Sequence, residues 1–159
     1  MDIARILLLL VLVNGAPILA RNLLGERLSR PIDGGHLYRD GRPWLGPAKT
    51  WRGLAAALIL GALASPLLGL PLLLGVAATV ASMAGDLVSS FFKRRLGLAS
   101  SSMALGLDQV PEALFPALVL APFLSLGPGE ILLIVALFFV VELLLSRLLF
   151  RLGIRREPY

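Results

Sequence analysis

"PLLLGVAATVASMAGDLVSSFFKRR", Pro71 to Arg95, decides how this chain folds. About 20 apolar residues cross the roughly 30 Å hydrocarbon core of a bilayer, and the run over about 71–92 meets that length before a basic cluster closes it. It therefore reads as a membrane span. At 100° per residue, however, Ser82, Asp86, Ser89, Ser90 and Lys93 fall within a sector of roughly 100° on one helix face. A carboxylate inside a span costs a few kcal/mol on insertion scales, so it faces a polar cavity with a task or sits in a buried ion pair. For Asp86 both readings stand, with Lys93 as the partner in the second. Seven residues at 1.5 Å each separate the two, about 10 Å, which puts Asp86 somewhat below the membrane surface.

Working outward, four further apolar spans appear at about 3–24, 53–69, 110–126 and 130–150. "SPLLGLP" and "SLGPG" leave room only for tight hairpins between spans two and three and between four and five. Two longer polar segments remain, about 25–52 and 93–109. The expected fold is all-α: a single polytopic membrane domain over 1–159 with about five transmembrane helices. Composition agrees, since 57% of the 159 residues are hydrophobic and only 16% charged, too oily for a soluble domain of this size. With no cysteine, neither disulfides nor thiolate chemistry is available.

Five spans put the termini on opposite sides, and Lys and Arg say which is which. Of the 15 basic residues, Arg5 alone falls on the side of the N-terminus and the tight hairpins. The rest, from Arg21 through Arg155 and Arg156, fall at or beyond the other face, which the positive-inside rule makes cytoplasmic. The expected orientation is N-terminus outside and C-terminus inside, a multi-pass protein of the cell membrane. The net charge of +5 is thus membrane topology, and nucleic-acid binding is a poor reading of it.

Polar groups gather at the same face. Asp108 and Glu112 precede or open the fourth span, Glu142 lies one to two turns inside the fifth, and Ser100 to Ser102 sit in the second cytoplasmic segment. Carboxylates there hold a hard divalent cation or pair with nearby arginines, and pairing is the preferred reading for Glu112 and Glu142. Lys93, Arg94 and Arg95 taken singly read as interfacial anchors. Asn14 reads as an interhelical hydrogen-bonding residue. Acids for a metal, bases for phosphates and a location at the interface together fit phosphoryl or nucleotidyl transfer onto a lipid headgroup.

The first polar segment carries "RPIDGGHLYRDGRPWLGPAKTWRG". Asp33-Gly34-Gly35 and Asp40-Gly41 are turn signals. Lys49-Thr50 is no Walker motif, because its spacing and its preceding strand are absent; the segment reads instead as a cytoplasmic loop that ends at the second span, with Lys49 and Arg52 at headgroup height and the Asp86 to Lys93 stripe as its expected partner. His36, the one histidine, reads as a solvated loop residue, and a single histidine excludes a two-histidine lipid phosphatase.

Taken together these segments resemble the CDP-archaeol synthases and, more distantly, the C-terminal part of the CDP-diacylglycerol synthases. "GPAKTWRG" is similar to the Pro-Lys-Lys-Thr-Trp-Glu-Gly segment of the latter, departing at Ala48 and Arg52. "SFFKRR" matches the Ser-x-apolar-Lys-Arg start of their signature, and "LDQVP" aligns with its Asp-Arg-x-x-Asp end, keeping Asp108 but not the second Asp. The resemblance implies CMP transfer from CTP to an ether-lipid phosphate, 2,3-di-O-geranylgeranylglyceryl phosphate, giving CDP-archaeol and pyrophosphate with Mg²⁺. On that footing Asp86, Lys93 and Asp108 are the expected catalytic residues, with Asp86 and Asp108 the Mg²⁺ ligands. Lys49, Arg52, Arg94 and Arg95 are expected to contact phosphates, Thr50, Ser89 and Ser90 to hydrogen-bond the same oxygens, and Trp51 to stack on cytosine or anchor the second span. An ion-coupled transporter and a non-catalytic membrane subunit are the rivals. The outer hairpins lack the polar groups the first needs, and the second leaves the polar stripe unexplained.

Overall fold

In a computed structural model, which describes residues 2–154, the chain forms five helices: α1 Asp2–Leu24, α2 Trp51–Leu67, α3 Leu72–Arg95, α4 Gln109–Leu124 and α5 Pro128–Arg151. Arg155 and Arg156, used in the charge argument, lie outside the described residues. Three helices, α1, α3 and α5, are long and apolar enough to cross a membrane, whereas α2 and α4 are shorter at 17 and 16 residues. Both short helices end at the tight hairpins. Leu68–Pro71 closes α2 with Gly69 at φ +72°, and Ser125 closes α4 at φ +54°.

The polarity of the packing is that of a bilayer protein. Ile6, Leu9, Leu10 and Val13 of α1 are buried against Ala57, Ala78, Ala117 and Phe138, and α1 touches every other helix. Facing outward are Ile59, Leu63, Leu73, Leu118, Leu132 and Leu144, each more than half exposed. A surface of this kind belongs in lipid. Between α2 and α3 the contact is too close for side chains larger than glycine at two points, with Gly61 against Thr79 and Gly75 against Ser65. Small residues of this sort replace the hydrophobic drive that lipid does not supply.

The helix ends differ from the expected spans by up to three residues, and two of the differences bear on the polar end of the bundle. α2 starts at Trp51 rather than 53, because the Thr50 side chain caps it by accepting from the Gly53 N–H at 3.2 Å. α3 runs on to Arg95 rather than 92. Its last turn is not splayed toward water: Lys93 and Arg94 are buried, their heads held by protein oxygens. Asn14 hydrogen-bonds Ser82 at 3.0 Å, and Ser82 donates to the Glu112 carbonyl at 2.9 Å, so one polar chain pins α1, α3 and α4 together.

Residues 25–50 fold back over the end of α3. Asp33 accepts from the backbone N–H of Gly35, Leu45 and Gly46 at 2.9–3.0 Å. Burial alone would raise its pKa, but these backbone donors hold the carboxyl below the usual range. Arg95 clamps the same loop: it pairs with Asp40, donates to the Pro43 carbonyl and lies 4.6 Å over the Tyr38 ring.

Candidate active site

The polar stripe of α3 faces a cavity of about 500 Å³ at the helix ends where the long loops lie. Its walls come from all five helices and both long loops, and each helix brings a charged group to it: Arg21, Arg52, Asp86, Glu112 and Glu142. Lys49, brought in by the first loop, sets its Nζ 2.5 and 2.7 Å from the two carboxylate oxygens of Asp86. Lys93 Nζ lies 2.7 Å from Asp108 Oδ1. Asp86 therefore pairs with Lys49 on a different segment, not with Lys93 two turns along its own helix. Each pair joins α3 to a loop: the first loop brings Lys49 to Asp86, and the second brings Asp108 to Lys93.

Both members of the second pair are held from behind. Lys93 also donates to the Ser102 carbonyl at 3.0 Å, and Asp108 accepts from the Ala104 N–H at 3.0 Å. Burial by itself would favour a neutral Lys49. The Asp86 carboxylate, with Glu112 and Asp108 behind it, overrides that and holds the Lys49 pKa above its ordinary value. The amine is thus a fixed cation in a partly dry site, where a phosphate oxygen is its natural ligand.

Glu112 was expected to pair with an arginine and instead is buried against Asp86. It lies four residues after Asp108, one helical turn on, which brings both acids to the same wall. That spacing was the signal available: the second acid of Asp-Arg-x-x-Asp falls on Glu112. The approach depends on Gly85, where any Cβ would run into the Pro111 carbonyl of α4. Glu142 of α5 also lines the cavity.

The remaining expected residues divide. Lys49, Arg52, Ser90, Arg94 and Thr50 line the cavity together with Asp86, Lys93 and Asp108. Arg94 is steadied by the Ala99 carbonyl at 2.7 Å, and Arg52 by the Gly25 and Arg27 carbonyls at 2.7 and 2.5 Å. Gly46, at φ +92°, lets the first loop pass within contact of the Arg94 head. Trp51, Ser89 and Arg95 do not line the cavity. Trp51 is 53% exposed, Ser89 donates to the Gly85 and Leu107 carbonyls at 2.9 and 2.6 Å, and Arg95 is spent on the first loop. His36 is exposed, its Nδ1 2.8 Å from the Asp33 carbonyl.

Membrane-length helices enclosing a cavity lined with fixed cations and carboxylates define the class, an integral membrane enzyme. Residues 68–159 match the family model of CDP-archaeol synthase. A CDP-archaeol synthase of Thermococcus onnurineus is 34% identical over 158 residues, 92% of this chain and 89% of the relative. The chain belongs to the CDP-archaeol synthase family, the CTP-dependent cytidylyltransferases of archaeal membrane lipid biosynthesis. The enzyme of that name from Sulfurisphaera tokodaii is 36% identical over 135 residues, 81% of each chain. A solved structure of an intramembrane enzyme for archaeal membrane lipids biosynthesis superposes with a TM-score of 0.77 at 29% identity, covering 89% of this chain and 90% of its own.

Proposed function

We propose that this chain transfers CMP from CTP to 2,3-di-O-geranylgeranylglyceryl phosphate, releasing pyrophosphate and forming CDP-archaeol. The observation that carries the reading is the pair of lysine–carboxylate contacts, Lys49 with Asp86 and Lys93 with Asp108, in one cavity within a membrane helix bundle. A phosphate oxygen of the lipid attacks the α-phosphorus of CTP, and the bond to the pyrophosphate oxygen breaks. The attacking group is already ionised, so no side-chain nucleophile or general base is required. What the protein must do is bring two anions together and hold them in line.

Lys49, Lys93, Arg94 and Arg52 would supply the positive charge, and Ser90 a hydrogen bond. Thr50 keeps its oxygen on the α2 cap, while Ser89 and Arg95 position the second and first loops around the site. The donor set fits a hard divalent cation. Asp86 and Asp108 on one cavity offer carboxylate oxygens, with Glu112 beside them. Mg²⁺ keeps several waters and takes one or two carboxylates plus substrate phosphates, a share that Asp86 and Asp108 could provide. When bound there, it would supply charge neutralisation on the phosphates.

The chain would work as a single five-span membrane domain, N-terminus outside, with the cavity opening to the cytoplasm where CTP is found. Purified protein given CTP, Mg²⁺ and the lipid phosphate should release pyrophosphate and form a CDP-lipid in equal amounts. Folded protein that makes no product with any nucleotide or lipid phosphate would overturn the assignment.

A further inference from the structure

Within the first loop, "HLYRDGRPW", His36 to Trp44, closes on itself as a small hairpin. Leu37 and Pro43 form an antiparallel bridge, the Tyr38 N–H donates to the Arg42 carbonyl at 2.7 Å, and the Trp44 N–H donates to the His36 carbonyl at 3.2 Å. Gly41, at φ +75°, makes the turn. Successive side chains of an extended strand point to opposite sides. Tyr38 packs edge-on against Phe91 of α3, with ring centroids 5.7 Å apart, so its neighbours Leu37 and Arg39 turn away from the helix. Both are exposed, Leu37 at 61%. Trp44 also rests on Tyr38 and Phe91, at 5.0 and 5.8 Å between centroids, yet leaves 45% of its surface open.

The height of this patch explains why it is apolar. Arg5 lies against Gly69 in the α2–α3 hairpin, which marks one membrane boundary beside the start of α3 at Leu72. A hydrocarbon core of roughly 30 Å takes about 20 residues at 1.5 Å each, which brings the other boundary to about Phe92. The rings of the hairpin therefore stand at headgroup level, where Trp and Tyr collect. The patch is also continuous with surface that already faces lipid. Val88, Phe92 and Leu96 recur every four residues on the outward side of α3, and the Phe92 ring lies 5.9 Å from Phe91, on which Trp44 rests. Charge points the same way, because the hairpin carries Arg39 and Arg42 against one acid, Asp40, which Arg95 already neutralises.

We propose that the 36–44 hairpin is a membrane seat. Leu37 and Trp44 enter the boundary of the leaflet at the loop end of the bundle, and Arg39, staying in the aqueous headgroup layer, pairs with phosphates of anionic lipid. The occupant is the bilayer surface, on the grounds of continuity with the lipid-facing side of α3 and of the surplus positive charge. The seat bears on the cavity through the backbone. Asp33 binds the N–H groups of Leu45 and Gly46, directly after the hairpin, and the Lys49 N–H donates to the Gly46 carbonyl at 3.2 Å. Arg95 thus holds the loop that delivers Lys49 from the protein side, and the bilayer holds it from the other.

The chain has two tryptophans, so Trp51→Phe leaves Trp44 as the sole reporter. In vesicles of phosphatidylcholine and phosphatidylglycerol, lipid brominated high on its chains should quench Trp44 fluorescence more than lipid brominated near the chain ends, and aqueous acrylamide should quench it little. Leu37→Asp, a change at an exposed position, should lose most of the lipid quenching. At equal mole fraction, brominated phosphatidylglycerol should associate with Trp44 about 5-fold more strongly than brominated phosphatidylcholine, the effect of roughly one arginine near an anionic surface. Arg39→Glu should abolish that preference. Trp44 open to acrylamide and untouched by brominated lipid would place the hairpin in water; Trp44 shielded from both would mean that a second copy of the chain covers it. Either result overturns the seat, and equal quenching by the two headgroups would overturn the pairing with anionic lipid. Neither CTP nor a lipid phosphate is present, so the outcome is independent of the reaction assigned to the cavity.

Discussion

At the scale of single residues, the consequential arrangement is the exchange of partners between lysines and acids. Lys49 and Asp86 are each about one-fifth to one-quarter exposed, at 24% and 21%, so removing one strands the other in a partly desolvated place. Lys49→Met and Asp86→Asn should each lower the melting temperature in detergent by more than the double variant does. Leaving a charge without its partner costs more than removing both, here about 1–3 kcal/mol. Melting losses that simply add would show that the pair is not coupled. Turnover should fall by about 100-fold or more in all three, since preorganised charge at the reacting phosphates is lost in each. A double variant of normal activity would mark the pair as structural. Sequence alone made Asp86 conspicuous, because a carboxylate in an apolar run demands a reason. It also set the loop segment carrying Lys49 and Arg52 against the Asp86 to Lys93 stripe, as the Lys49–Asp86 contact bears out. It left Lys93 as the alternative ion-pair partner, since Lys49 lies 37 positions away and nothing local selects between the two.

At the scale of elements, α3 was legible and the loops were not. Its apolar run, its polar stripe and its basic end all follow from periodicity. The extension of the helix to Arg95 did not, because basic residues at the end of a span ordinarily snorkel outward, whereas Lys93 and Arg94 turn in toward carbonyls of a loop whose path depends on tertiary contacts. The same holds for residues 25–50. Asp33 organises backbone 12 and 13 residues on, and Arg95 reaches Asp40 across 55; turn residues announce a loop without saying where it lands. Glu112 was readable from its spacing to Asp108, and the lure of neighbouring arginines hid it. Its position depends on how closely α4 approaches α3, which Gly85 permits. Gly85→Ala should therefore do more than Gly→Ala normally does in a helix, where it stabilises. Pushing the Pro111 backbone away should cost about 1–3 kcal/mol, and displacing both Asp108 and Glu112 should cut kcat by about 10- to 100-fold. A variant at least as stable as wild type would mean that the two helices do not pack as described.

For the whole molecule, the charge asymmetry and the cavity make one argument. Arg5 lies beside Gly69 in the α2–α3 hairpin, marking one end of the bundle, while Lys49, Lys93, Arg94 and Arg95 gather with both long loops at the other. A soluble, highly charged nucleotide cannot cross hydrocarbon, so an enzyme joining it to a lipid must place its site within reach of the compartment that holds the nucleotide. The positive-inside rule places the same end there for an unrelated reason, the bias of membrane insertion. Two independent arguments thus predict one orientation, and the cysteine-free chain makes the test clean. Gly129→Cys, at the start of α5 where a Cβ meets nothing within 4 Å, should react with a membrane-impermeant thiol reagent on intact cells. Arg39→Cys, in the exposed first loop, should react only after the cells are opened. The reverse pattern would put the lysine–carboxylate cavity on the side without CTP, and would overturn both the topology and the reaction assigned to it.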